Sequence, residues 1–156
     1  MRAARRGVAV ALAAVLVACA GPAIPPPPPP GAALPDLRGT WTGTWGGTPV
    51  TLLITEQADE GPGAGGFYVG TAHVLGERQP TVGGVLTFSD GSGTTTTHAR
   101  GWVGQEGRRL RLLVVATPGA GNIFLDLAVE PDGRLTGIGE SDFRWGPRGP
   151  VTLTRR

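Results

Sequence analysis

From Thr40 to Arg155 apolar and polar positions alternate in short runs, each ended by a turn carrying glycine or proline. A period of two is that of a strand with one buried face. It is clearest in Arg109 to Ala116, where Leu110, Leu112 and Val114 alternate with Arg109 and Arg111. In Asn122 to Glu130, Ile123, Leu125, Leu127 and Val129 share one face, with Asp126 and Glu130 on the other. The same pattern predicts strands over Thr40 to Trp45, Val50 to Glu56, Phe67 to Leu75, Thr81 to Phe88, Thr95 to Gly104, Arg134 to Glu140 and Val151 to Arg155. No segment carries a helical stripe with caps. Eight or nine short strands left as an open sheet would expose two edges. Closing them into a single antiparallel up-and-down β-barrel of about eight strands removes both. A β-sandwich is the alternative. The short hairpin turns, with longer connections only near 59–66 and 141–150, favour a meander over a Greek key.

Ahead of this region the pattern is different. Arg2, Arg5 and Arg6 precede an uncharged apolar run from Gly7 to Ala18, and Cys19 follows. This is the layout of a secretion signal, too short for a spanning helix of about 20 residues. Ala20 to Leu34 is almost wholly Gly, Pro and Ala, with six prolines from Pro25 to Pro30. Fully extended as polyproline, those residues make a spacer of roughly 45 Å. The chain thus divides into a signal peptide (1–18), an anchor and Pro-rich linker (19–35), and a β-barrel domain (36–156).

Leu16, Val17, Ala18 and Cys19 resemble the lipobox of bacterial lipoproteins. That resemblance implies cleavage before Cys19, a diacylglycerol on its thiol and a further acyl chain, such as palmitate, on the new amino terminus. More than one chain is what stable anchoring requires. The implied place is the extracytoplasmic side of the cell envelope, on the periplasmic face of the outer membrane where the organism has one.

Composition narrows the chemistry. The single cysteine excludes an intramolecular disulfide, a thiolate zinc cluster and a dithiol redox pair. An isoelectric point near 9.5 suggests nucleic acid, but three of the fourteen arginines lie in the signal and the chain has no lysine. The remaining eleven face twelve acidic residues, so no cationic footprint for nucleic acid survives. Four Phe, four Trp, one Tyr and one Met leave the core to Val, Leu, Ile, Ala and Thr.

Gly39-Thr40-Trp41 at the first strand, with Arg155 in the last, resembles the calycin superfamily of lipocalins, fatty-acid-binding proteins and avidins. In that family the Trp plugs the barrel floor and a basic residue packs across it. The resemblance implies these roles for Trp41 and for Arg155 or Arg156. It carries over no complete ligand set: Gly43 stands near where avidins place a biotin-binding Asn, and the His that nitrobindin-type barrels use for haem is missing from the C-terminus.

No catalytic constellation emerges. His73 and His98 lie on separate strands, Ser89, Ser92 and Ser141 are in no nucleophile elbow, and the acidic pairs Asp59-Glu60 and Glu140/Asp142 fall in loops. No cofactor or metal is expected. Trp102 and Trp145 are candidate ligand-contacting residues at a barrel mouth, while Trp45, in phase with Trp41, suits packing. Two functions follow for a lipid-anchored envelope barrel. In one, inward glycines such as Gly84, Gly137 and Gly139 leave room for a small apolar or amphipathic ligand; in the other, a filled barrel serves as a structural or protein-interaction subunit without enzymatic activity.

Overall fold

The alternation becomes pairing in the computed structural model of the chain, which describes residues 24–59, 67–69, 72–74, 79–89, 93–119, 121–144 and 146–156. Among the described residues there are ten strands: β1 (Gly39–Trp45), β2 (Thr48–Ala58), β3 (Phe67–Val69), β4 (Ala72–Val74), β5 (Thr81–Ser89), β6 (Thr94–Glu106), β7 (Arg109–Ala116), β8 (Ile123–Val129), β9 (Arg134–Ser141) and β10 (Gly149–Arg155). Eight of them form a closed barrel in the order β1-β10-β9-β8-β7-β6-β5-β2. All neighbours are antiparallel, and β1 closes the ring by pairing with both β2 and β10. The expected single strand over Phe67 to Leu75 is instead two three-residue strands, β3 and β4, paired with each other in a separate sheet. Alternation cannot distinguish a barrel strand from the arms of a small hairpin, and this insertion bridges β2 and β5 outside the ring.

The inward phase of each barrel strand is apolar. Val50, Leu52 and Ile54 of β2 face Leu86 and Phe88 of β5, and Leu112, Val114, Ile123, Leu125 and Leu127 continue the lining. Each such side chain contributes about 1.5–3 kcal/mol on burial. At one end, which carries the β1–β2, β5–β6, β7–β8 and β9–β10 turns, Trp45 is 0% exposed. It meets Phe88 edge to face, ring centroids 5.6 Å apart and planes at 65°. Phe143, from the β9–β10 loop, lies over Phe88 at 6.4 Å. That loop is tied down by Ser141 Oγ donating to the Pro147 carbonyl (3.1 Å), and by Arg148 Nη2 donating to the carbonyls of Ser141 (2.7 Å) and Phe143 (3.1 Å).

The inward glycines leave no room beside them. A Cβ on Gly84 would fall 1.9 Å from the Leu53 carbonyl oxygen of β2, and one on Gly137 at 1.9 Å from the Asp126 oxygen of β8. These are places where the wall coils tightly, and next to Gly84 the β2–β5 register shifts between Ile54 and Glu56. An extra residue there sharpens the local twist. A Cβ on Gly139 would meet Trp45 Nε1 at 2.3 Å. The space Gly139 forgoes is occupied by the indole, not by solvent.

Two adjacent glycines of β5 test this reading. Gly84→Ala should destabilise the protein by about 1–3 kcal/mol, because its Cβ strikes a neighbouring backbone. At Gly83 a Cβ meets only the flexible end of Glu56, at 3.3 Å, so Gly83→Ala should be neutral or stabilising by up to about 1 kcal/mol. Urea denaturation compares them; equal effects would contradict the close approach at Gly84.

Candidate functional site

The barrel end opposite Phe143 is built from the approach to β1. Asp36 and Arg38 form a local clamp: Asp36 Oδ1 accepts from the Arg38 amide (3.0 Å) and from Nε (2.9 Å), and Oδ2 accepts from Nη2 (3.0 Å). The turn is pinned to β2, where the Leu37 amide donates to Gln57 Oε1 (2.8 Å) and Gln57 Nε2 donates to the Pro35 carbonyl (3.0 Å). Leu37 is thereby buried under the barrel, and its carbonyl accepts the Trp41 indole N–H at 2.8 Å. Arg155 lies with its guanidinium carbon 5.8 Å from the Trp41 ring centroid. It donates to the carbonyls of Asp36 (3.0 Å) and Arg38. Gly39 adopts φ of 134°, and a Cβ there would lie 3.0 Å from Arg155 Nε. Glycine at this position is what lets the arginine cross the tryptophan.

Around this plug runs a groove of about 650 Å³. Leu37, Trp41, Leu110 and Val129 give it an apolar base, and Arg108, Asp36 and the Arg134–Asp132 pair form its rim. Trp41 is only 3% exposed, so it presents an edge to the groove. A second, shallower depression of about 390 Å³ lies on the outer wall of β6 to β9. There Arg111 bridges Asp126 and Glu106, and both carboxylates raise its pKa, Asp126 the more strongly. Beside that network Ile138 is 60% exposed.

The other sequence candidates are dispersed. Trp102 is half-buried on the outward phase of β6, between the inward Gly101 and Val103, so it does not face the bore. Its cross-strand neighbours are Thr81 and the buried Leu113. Trp145 and Cys19 lie outside the described residues. His98 is exposed on β6, opposite Val85. For His73, on β4, the backbone pairs with Tyr68. Ser141 is buried as a loop tie, and Asp142 accepts a hydrogen bond from Asn122 Nδ2 (3.1 Å). Ser92 and Glu60 lie outside the described residues. No three His, Cys, Asp or Glu side chains among the described residues are grouped to hold a metal.

Two structural positions carry no signal in residue pattern. Phe143 is an isolated aromatic in a loop, and Gln57 is a single polar residue whose partners, Pro35 and Leu37, lie about twenty residues earlier. Trp45 Nε1 is buried without an acceptor among the described residues, a cost of about 1–3 kcal/mol accepted in exchange for filling the bore. Comparison with protein-family models, with curated proteins and with solved structures finds no match to the chain.

The clamp is testable by titration. Hydrogen bonds from the Arg38 guanidinium and amide hold the Asp36 carboxyl down to about 2, from an ordinary value of 3.8. The clamp is therefore intact above about pH 4 and lost as pH falls through the folded value. Carboxyl-detected NMR should give a midpoint near 2 for Asp36 and return it toward the ordinary value in Arg38→Gln; an ordinary midpoint in the unaltered chain would contradict the clamp.

Proposed function

We propose that the protein is a lipid-anchored component of the cell envelope whose barrel, calycin-like in plan, is a solid interaction module. It offers its outer surface to another envelope protein and carries no small molecule in its bore. The observation that carries this reading is the filling of the bore: Trp45 occupies the space beside Gly139 and is sealed by Phe88 and Phe143, while Trp41 closes the other end under Arg155. Anchoring is supported by Leu16 to Cys19 behind the apolar run of the signal. The calycin-like plan is supported by the eight-stranded meander together with Gly39, Trp41 and Arg155. On the outer wall, Ile138 beside the Arg111 network joins an exposed apolar contact to fixed charges, a combination that suits a protein surface.

A second reading, binding of a small apolar or amphipathic molecule, retains support from the groove at the Trp41 end. Its base is apolar and its rim is charged. Such a ligand would lie against the plug, not within the barrel.

Membrane fractionation and native mass spectrometry of protein taken from its own envelope test both parts. The processed chain should fractionate with membranes, and Cys19→Ala should leave it soluble or uncleaved; membrane association of a processed Cys19→Ala chain would contradict anchoring. A photo-crosslinking residue at position 138 should yield one discrete protein adduct, with no co-purified small molecule. A stoichiometric lipid-like adduct, with Trp41 fluorescence quenched on re-addition, would overturn the first reading in favour of the second.

A further inference from the structure

The Pro-rich segment is not free along its length. Pro25 is buried, and its carbonyl accepts a hydrogen bond from Gln79 Nε2 at 2.8 Å. The Pro26 carbonyl accepts from the Gln105 amide at 2.8 Å. This differs from the extended spacer expected from composition, and the reason lies in β6. Its last residues run beyond the start of β5: Thr81 pairs with Trp102, the Val103 amide reaches the Pro80 carbonyl, and from there the β6 edge has no barrel neighbour on that side among the described residues. Pro25 and Pro26 cover that edge. Gly104 makes the approach possible, because a Cβ there would fall 2.5 Å from the Pro26 carbonyl oxygen and 2.6 Å from Pro25 Cβ.

We propose that Gln79 and the β6 edge from Val103 to Gln105 form a receptor site for extended proline-rich chain, with Pro25 and Pro26 as its built-in, releasable occupant. Gln79 is shaped for this role. Only 8% exposed, it spends one amide hydrogen on the Val103 carbonyl (3.1 Å) and the other on the strap. If the strap leaves, water takes that second N–H, and an occupant that displaces the water must offer a carbonyl in its place. Polyproline fits because it is extended in advance and presents bare carbonyls. It also binds incompletely. The Gln105 carbonyl lies on the same side as its amide, and proline has no N–H to return. Each occupant residue thus gives half the hydrogen bonds of a true strand, which makes release accessible. With a helical repeat of three residues, Pro28 and Pro29 would present the same pair of carbonyls as Pro25 and Pro26 once the turn in which the Pro29 carbonyl accepts from the Ala32 amide (3.0 Å) opens.

Release would change the reach of the tether, a consequence that rests on the anchored reading. With the strap docked, the chain from Cys19 to Pro25 spans at most about 20 Å. Released, the linker extends to roughly 45 Å. The site therefore sets how far the barrel stands from the lipid surface.

Amide hydrogen exchange of the full processed chain decides the docking. Gln105 should be protected, and its exchange should rise at least about tenfold both in Gly104→Ala and in a chain whose residues 25–30 are replaced by Gly-Ser repeats, with Leu112 and Leu125 unchanged. Unaltered Gln105 protection in both variants would overturn the strap. Hexaproline peptide at roughly millimolar concentration should restore protection in the Gly-Ser chain and not in Gly104→Ala. No protection at that concentration would overturn the receptor site. On vesicles of phosphatidylethanolamine and phosphatidylglycerol, a label at position 138 should stand farther from the surface in Gly104→Ala, by up to about 25 Å; an equal distance would overturn the two-state tether. Failure of the chain to partition into the vesicles would overturn the anchored reading, leaving the docking to the exchange result.

Discussion

Closing eight antiparallel strands fixes the width of the bore, and here the bore is filled from both ends by tryptophans carried on one strand. Trp41 and Trp45 point inward from β1, four residues apart, and neighbouring positions are shaped around them. Gly139 gives up its side chain to the Trp45 indole, and Phe88 and Phe143 complete the seal. Gly39 gives way to Arg155, which crosses Trp41 and ties the approach segment to the last strand. A barrel of this size holds either side chains or one small ligand. Two indoles and the surrounding leucines settle the balance toward side chains.

Much of the architecture was legible because alternation reports phase directly. The strand from Arg109 to Ala116 lies where its leucines and arginines place it, and the barrel meander follows from the spacing of the turns. The contact of Arg155 with Trp41 was implied only by the resemblance of Gly39-Thr40-Trp41 and the terminal arginine to the calycin superfamily. Phase, however, says which way a residue points and not what stands opposite it. Gly84, Gly137 and Gly139 do face inward, yet one backbone carbonyl each lies against the first two and an indole against the third. Phe67 to Leu75 carries the alternation of a barrel strand but forms a separate hairpin. The docking of Pro25 and Pro26 was illegible for another reason: their respective partners, Gln79 and Gln105, are more than fifty residues away along the chain.

Around the packed interior the two ends of the barrel are unequal. One end is sealed by a loop held with three hydrogen bonds from Ser141 and Arg148. The other gathers the C-terminus, the Asp36–Arg38 clamp, the groove over Trp41 and the Pro-rich strap. That end is where the Pro-rich segment meets the barrel. The outer wall of β6 to β9, with Ile138 and the Arg111 network, adjoins that groove at Glu130.

The claim on which the rest depends is that the bore is solid, and the indole N–H of Trp45 reports on it from the inside. That proton is buried and lacks an acceptor among the described residues, so only opening of the core can expose it to solvent. NMR exchange of this single proton should give an opening free energy equal to that of global unfolding by urea, with a resonance unmoved by saturating fatty acid. Exchange well ahead of unfolding, or a resonance that shifts with added ligand, would contradict a filled barrel.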